Sequence, residues 1–143
     1  PNLKLYFMVG IPTETEDDVL AIPELLRRLQ REFVAGSRPW GRIGSLSLNL
    51  SVFVPIPSTP LAKFEPLPVD TVRHHLAILE RQLRKVQNVR FQMPSLALAQ
   101  AQRILVQGDL RSAEFLKLAH AHGGNWRAAL REWDELAARA VMA

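Results

Sequence analysis

The stretch LKLYFMVGIPTETEDD, from Leu3 to Asp18, decides the fold expected for this chain. Its first half alternates and is rich in apolar and aromatic residues, which predicts a β-strand over residues 3–10. Gly10 and Pro12 then end the strand, because neither residue type suits a strand interior. A strand that ends in this way and enters a helix presents backbone groups to a ligand. The turn is therefore the first candidate site.

A helix is predicted directly after this turn. Thr13 or Thr15 is expected to cap it, with Glu16 or Asp18 three residues later as the partner in a capping box. Apolar residues then recur at helical spacing. Pro23 lies inside this pattern, so we expect the helix to kink or to restart there.

A second strand is predicted over residues 45–54, SLSLNLSVFV. Leu and Val alternate with polar residues, so one face of the strand is apolar and the other is polar. The segment PIPSTP, residues 55–60, is expected to be extended, because its prolines recur and residues before proline avoid the helical region.

The rest of the chain is predicted to be mostly helical. Apolar residues from Val72 to Val86 step by four and three, which indicates a helix with one buried seam. The short run VRFQM, residues 89–93, predicts a third strand. From residue 95 onwards the pattern is helical, and Trp126 and Trp133 share one helix face as expected core residues.

The order of strands and helices indicates an α/β fold with parallel strands and right-handed crossovers. A sheet covered on both faces would have strands that are apolar on both sides, whereas these strands each have a polar face. The polar faces fit the lumen of a partial (β/α) TIM-like barrel and an open sheet equally well. Gly10 and the proline-rich turn after Val54 both lie at carboxyl ends of strands, where ligands bind in such folds. We therefore expect a fragment of a partial (β/α) TIM-like barrel, with two or three parallel strands over residues 1–94 and a helical C-terminal segment over 95–143. An open sheet with one solvated face is the alternative. The substrate-cavity candidates on the polar face are Lys4, Tyr6, Ser47, Asn49 and Ser51.

Composition limits the classes of function. The chain has no Cys, which excludes disulfides and thiolate metal sites within it. No apolar run approaches the roughly 20 residues that span a bilayer, so we expect no membrane partner. The absence of Cys fits a cytoplasmic location. The chain starts Pro1-Asn2 and enters a strand almost at once, which we interpret as a piece of a longer protein. The net charge is +4, and residues 67–94 hold five basic and two acidic residues.

Three segments of the chain resemble segments of radical SAM enzymes, the third only weakly. LKLYFMVGIPTETEDD is similar to the segment at the fifth strand of their barrel, where a strand ends in a Gly-x-Pro-x-Glu-Thr type of turn. SVFVPIPSTPLA, residues 51–62, is similar to the sixth-strand segment, and most of all to that of the cobalamin-binding-type branch. Ile56 and Ser58 stand where that branch usually has Lys and His. VQGDLR, residues 106–111, weakly resembles a turn of its C-terminal part. The matching residues of the sixth-strand segment are Ser51, Phe53, Val54, Pro55, Pro57, Thr59 and Pro60.

The resemblance implies that the opening turn lies along the adenosine part of S-adenosylmethionine. In that family a [4Fe–4S] cluster, held by three thiolates, cleaves S-adenosylmethionine to a radical that abstracts a substrate hydrogen. Without Cys this chain alone would be inactive and would supply only part of the pocket. Cobalamin is a further candidate cofactor that the resemblance implies. The cofactor-binding residues implied by the resemblance are Met8, Gly10, Ile11, Pro12, Glu14, Val52 and Phe53, although Glu14 is equally interpreted as an acid of the helix start.

Other functions remain as alternatives. The helical segment 95–143 could be a non-catalytic interaction module, and the basic helix within 67–94 could bind nucleic acid, although no aromatic residues are interleaved with its charges. The adjacent His74 and His75, and His120 with His122, do not share helix faces, so neither pair predicts a metal site. Because a remnant of two or three strands leaves sheet edges exposed, we also expect the chain to self-associate when it is expressed alone.

Overall fold

The computed structural model describes residues 2–41, 44–106 and 108–141. The chain divides into two compact units, one of Pro1–Phe53 with Pro66–Pro94 and the other of Val54–Glu65 with Ser95–Ala143. The first unit contains, in chain order, β1 (Asn2–Val9), α1 (Glu16–Ser37), β2 (Ser45–Val52), α2 (Val69–Leu83) and β3 (Val89–Gln92).

The first unit has an α/β fold with an open sheet of three parallel strands in the order β1-β2-β3. The predicted third strand is therefore confirmed. In the register, Lys4 pairs with Ser47, which in turn pairs with Arg90. Side chains alternate between the two faces of a strand, so these three residues lie in one row on one face of the sheet.

The core of this unit lies between the sheet and its two helices. The seam predicted for α2 is buried, as shown by Leu79 and Leu83, which have no exposed surface. Leu26 of α1 is equally buried, and so is Leu46 on the apolar face of β2. Burying a Leu side chain contributes about 1.5–3 kcal/mol, so this apolar layer determines which face of the sheet the helices cover.

Helix α1 does not restart at Pro23, contrary to one of the two sequence expectations. It runs without interruption from Glu16 to Ser37 with Pro23 inside it. Proline removes one backbone hydrogen bond, but here its ring is fully buried in the core beside Ile22. Tertiary burial of the ring offsets the local loss, which is why a propensity argument fails at this position.

The second unit is helical, with α3 (Leu96–Val106), α4 (Leu110–Ala121) and α5 (Trp126–Val141). Its core is centred on Phe115, which has no exposed surface. The ring of Trp126 stacks on Phe115 at a centroid distance of 6.2 Å, and the ring of Trp133 meets it edge-on at 5.5 Å. The two tryptophans are therefore partly buried core residues, as the sequence predicts.

The segment 55–60 is not extended throughout, which corrects the sequence expectation. Ser58 has φ +66°, and a short 3-10 helix begins at Pro60. The hydroxyl and the amide of Thr59 both donate to the carbonyl of Ile56, at 2.7 and 3.3 Å. This local turn competes successfully with the extended preference of residues before proline. Within the part of the chain that the structure describes, no helix is both long and apolar enough to cross a bilayer.

Candidate functional site

The turn between β1 and α1 depends on a glycine at position 10. Gly10 has φ +87°, a region that side chains other than glycine rarely adopt. A Cβ atom at this position would lie 3.1 Å from Cγ2 of Val72 in α2 and 3.8 Å from Cγ1 of Val52. The glycine therefore permits both the direction of the turn and its close approach to α2. Thr13, further along the turn, also has a positive φ of +73°.

The carboxylate of Glu14 closes this turn. The Gly10 N–H donates to both of its oxygens, at 3.0 Å to Oε1 and 3.1 Å to Oε2. The Glu14 N–H in turn donates to the Ile11 carbonyl at 3.0 Å. The side chain is only 8% exposed, so its hydrogen bonds lie in a partly dry environment where they are stronger than in water.

His75 of α2 provides a second, distant partner for this carboxylate. Its Nδ1 lies 2.8 Å from Glu14 Oε1, and the His75 side chain is 4% exposed. Because the carboxylate oxygen accepts, the Nδ1–H donates, which fixes the tautomer of a neutral ring. Sequence reasoning weighed His75 only as a metal ligand and missed this role. The sequence did contain a signal for a buried histidine, because His75 lies directly before Leu76, next to the apolar seam predicted for α2.

His74, the neighbour of His75, contacts a different acid. Its Nε2 lies 2.8 Å from Glu16 Oε1, and both side chains are more than half exposed. The two adjacent histidines thus diverge towards separate carboxylates. No group of three or more metal-ligating side chains occurs among residues 2–41, 44–106 and 108–141.

Helix α1 begins with the capping box that the sequence predicts, at Thr15 rather than Thr13. The Asp18 N–H donates to Thr15 Oγ1 at 3.3 Å, and the Thr15 N–H donates to Asp18 Oδ2 at 2.9 Å. Thr15 Oγ1 also donates to Asp18 Oδ2 at 2.7 Å. The side-chain hydrogen bond from Thr15, followed by the backbone one, lowers the pKa of the Asp18 carboxyl below its ordinary value.

A cleft of about 440 Å³ lies between this turn and α1. This volume is typical of sites for small molecules, which occupy about 300–1,000 Å³. The cleft unites four of the seven residues named as cofactor-binding. Its lining consists of Phe7, Met8, Ile11, Pro12, Thr13, Glu14, Asp18, Ala21, Ile22 and Leu25.

The other three named residues do not line this cleft. The Gly10 N–H is occupied by Glu14. Val52 pairs with Val9, whereas Met8 pairs with Ser51, so Val52 and Met8 lie on opposite faces of the sheet. Phe53 is 9% exposed, and its N–H donates to the Val9 carbonyl at 2.8 Å. This bond extends the contact between β1 and β2 by one residue beyond the end of β2.

The substrate-cavity candidates share the opposite face of the sheet from the core. Tyr6 and Asn49 are register partners, as are Met8 and Ser51. Tyr6 is 72% exposed and Met8 45% exposed. The row of Lys4, Ser47 and Arg90 lies on the same face. Sequence reasoning did not include Arg90 or Gln92, because their membership depends on the register of β3.

The second unit contains a histidine–carboxylate pair of its own. His122 Nε2 lies 2.6 Å from Glu132 Oε2, and both residues line an open cleft with Arg131 and Glu135. Both side chains of the pair are about a third or more exposed, at 32% and 46%. An exposed pair of this kind contributes little to stability.

Comparison with known proteins identifies a distant relative. The chain is 28% identical over 116 residues to an uncharacterized protein of Methanocaldococcus jannaschii, MJ0966. The aligned region covers 80% of this chain but only 23% of that protein. The chain thus spans about a quarter of the length of the curated relative that it matches. No protein-family model matches the chain, and no solved structure matches it significantly.

Proposed function

We propose that this chain is the C-terminal part of the catalytic domain of a cytoplasmic radical SAM enzyme of the cobalamin-binding type. The observation that carries the proposal is the register of β1 and β2. Val9 pairs with Val52, so the Gly10 turn and the end of β2 leave the sheet at the same edge. These are the two segments that resemble the fifth and sixth strands of that family, and carboxyl ends of parallel strands are where such folds bind ligands.

Two features of the sheet support a partial (β/α) TIM-like barrel as its complete form. Within the described residues β1 pairs only with β2, and its apolar residue Leu3 is 37% exposed at the sheet edge. A further parallel strand beside β1 would pair this edge and cover it. The polar face of β1 and β2 would then line the inside of the barrel, as the alternation of Ser and Leu predicts.

The cleft beside the turn is the proposed site for the adenosine part of S-adenosylmethionine. Met8, Ile11 and Pro12 provide an apolar wall of the kind that packs on a flat heterocycle. Glu14 is a positioning residue in this proposal, since its carboxylate holds the turn through Gly10. A [4Fe–4S] cluster would supply the electron that cleaves the cofactor, and its thiolate ligands must come from outside this chain, which has no Cys.

The test uses the full-length protein from the complete reading frame. We expect a Cys-x3-Cys-x2-Cys stretch upstream, binding of S-adenosylmethionine, and formation of 5′-deoxyadenosine under reducing, anaerobic conditions. Ile11→Ala removes apolar contact from the cleft and is expected to weaken S-adenosylmethionine binding by about tenfold. Leu98→Ala, at a comparably exposed position in α3, is the control and should leave the affinity unchanged.

Two results would overturn the proposal. The first is a complete reading frame without that cysteine stretch. The second is a full-length protein that fails to bind S-adenosylmethionine, or whose affinity for it is unchanged by the Ile11→Ala substitution. A fold defect is distinguished from a site defect by comparing the thermal unfolding of the two variants with that of the parent protein.

A further inference from the structure

The face of the sheet opposite the core carries charge of only one sign. Its charged residues are Lys4 on β1 and Arg90 on β3, both exposed. Neither side chain forms an ion pair with another residue in the described ranges. The remaining residues of this face are uncharged: Asn2, Tyr6, Met8, Ser45, Ser47, Asn49, Ser51 and Gln92.

The register places the two cations in a single row. Lys4 pairs with Ser47, and Ser47 pairs with Arg90. Neighbouring strands lie about 4.8 Å apart, so the backbones of Lys4 and Arg90 are separated by about 9.6 Å. Both side chains are long enough to reach a common point above Ser47, which occupies the strand between them.

The row of Lys4, Ser47 and Arg90 contains two positive charges and no negative charge. Two like charges that approach one point repel each other, and a surface of one sign attracts the opposite charge. A phosphate group would neutralise both cations and a carboxylate one of them, and either group would accept hydrogen bonds from the guanidinium fork and from the serine hydroxyl. The next row, Tyr6–Asn49–Gln92, offers a phenol and two amides to the rest of such a ligand.

We propose that Lys4, Ser47 and Arg90 bind the anionic group of a small-molecule substrate. The inference rests on the proposed function, in which this face lines the substrate cavity, and it names the substrate class as an acid or a phosphorylated compound. A nucleic acid fits this face less well. Tyr6 is its only aromatic residue within the described ranges, and strong binding of a polynucleotide needs many phosphate contacts and several stacking platforms.

The test is a titration of the full-length protein with inorganic phosphate and with succinate at constant ionic strength, with chloride as the reference anion. NMR or calorimetry reports binding independently of any catalysis. Lys4→Gln and Arg90→Gln are each expected to weaken the binding of one or both anions by about tenfold. Arg81→Gln, in α2, and Lys85→Gln, just after it, remove the same charges from exposed positions and should change the affinity less than twofold.

The phosphate and succinate arms distinguish the two sources of an anionic group. The proposal is overturned if neither anion binds more tightly than chloride, or if the two control variants weaken binding as much as the sheet variants. It is also overturned if single-stranded RNA binds this face with a steep salt dependence that Lys4→Gln and Arg90→Gln remove, since that result assigns the face to nucleic acid.

Failure of the anion site can be distinguished from failure of the proposed function. Cleavage of S-adenosylmethionine without anion binding would refute the anion site alone. Anion binding without S-adenosylmethionine binding would refute the radical SAM assignment and leave an anion site on an α/β sheet.

Discussion

His75 Nδ1 lies 2.8 Å from Glu14 Oε1, and this buried pair joins the turn after β1 to helix α2, 61 positions along the chain. The same carboxylate accepts from the Gly10 N–H. One acid therefore connects the strand end, the turn and a helix. The conformation of the candidate cofactor turn thus depends on a residue that is remote from it in sequence.

Loss of His75 is expected to destabilise the protein. His75→Ala leaves a buried carboxylate with one partner fewer and opens a cavity, which should lower the free energy of unfolding by about 2 kcal/mol or more. His74→Ala is the matched control, because His74 makes an exposed pair with Glu16. Its effect should stay within about 1 kcal/mol. Urea denaturation of the two variants tests this difference, and equal effects would contradict the structural role of His75.

Gly10→Ala is expected to destabilise the protein for two reasons. The backbone has φ +87°, and the new Cβ would meet Val72 at 3.1 Å. The strain of a left-handed conformation is about 1–2 kcal/mol for an alanine. Adding Val72→Ala should relieve the contact but not the backbone strain, so the double variant should recover stability only in part, once corrected for the loss of Val72 alone.

Gly36→Ala provides the control for this prediction. Gly36 lies in the last turn of α1 with nothing within 4 Å of a new Cβ. Alanine is a better helix former than glycine by about 1 kcal/mol, so this variant should be neutral or more stable. Thermal unfolding distinguishes the two substitutions, and a tolerated Gly10→Ala would show that the turn does not require glycine.

The start of α1 is expected to weaken in acid. Hydrogen bonds from Thr15 hold the pKa of Asp18 below its ordinary value, which is about 3.9 in unfolded chains. A carboxyl with a lower pKa in the folded state stabilises the protein at pH values above its unfolded pKa. That contribution is lost as the pH falls through the lower, folded pKa.

A comparison of the unsubstituted protein with the Asp18→Asn variant tests the predicted direction of this pH dependence. The difference in the free energy of unfolding should be largest near neutral pH and should shrink on acidification below about pH 4. Asp17→Asn removes a carboxylate from the same turn, but Asp17 takes no part in the capping hydrogen bonds. Its effect should be smaller. A difference for Asp18→Asn that stays constant with pH would contradict the capping role.

The helices and strands were largely predictable because they depend on local patterns. The Leu–Ser alternation of β2 and the capping box at Thr15 are encoded within a few residues, and both are present. Prediction failed where distant contacts or an unforeseen turn outweigh local preference. Pro23 stays inside a helix because its ring is buried, and residues 55–60 turn because Thr59 bonds back to Ile56.

The candidate site was predictable only in part for the same reason. The residues of the turn could be named, and Met8, Ile11, Pro12 and Glu14 do line one cleft. Met8 and Val52 lie on opposite faces of the sheet because of the way β1 pairs with β2. A single sequence does not specify that pairing. The inclusion of Arg90 in the polar row likewise depends on how β3 pairs with β2.

Sequence patterns were enough to establish the order of the elements, the polar and apolar faces of the strands and the absence of thiolates. Three-dimensional packing was needed to show that Glu14 is held by Gly10 and His75, and that Lys4 and Arg90 share a row. The physical reason is the separation along the chain over which each interaction acts. Patterning and capping act over one or two turns, whereas a buried carboxylate finds its partner, and a strand its register, only when the chain is packed.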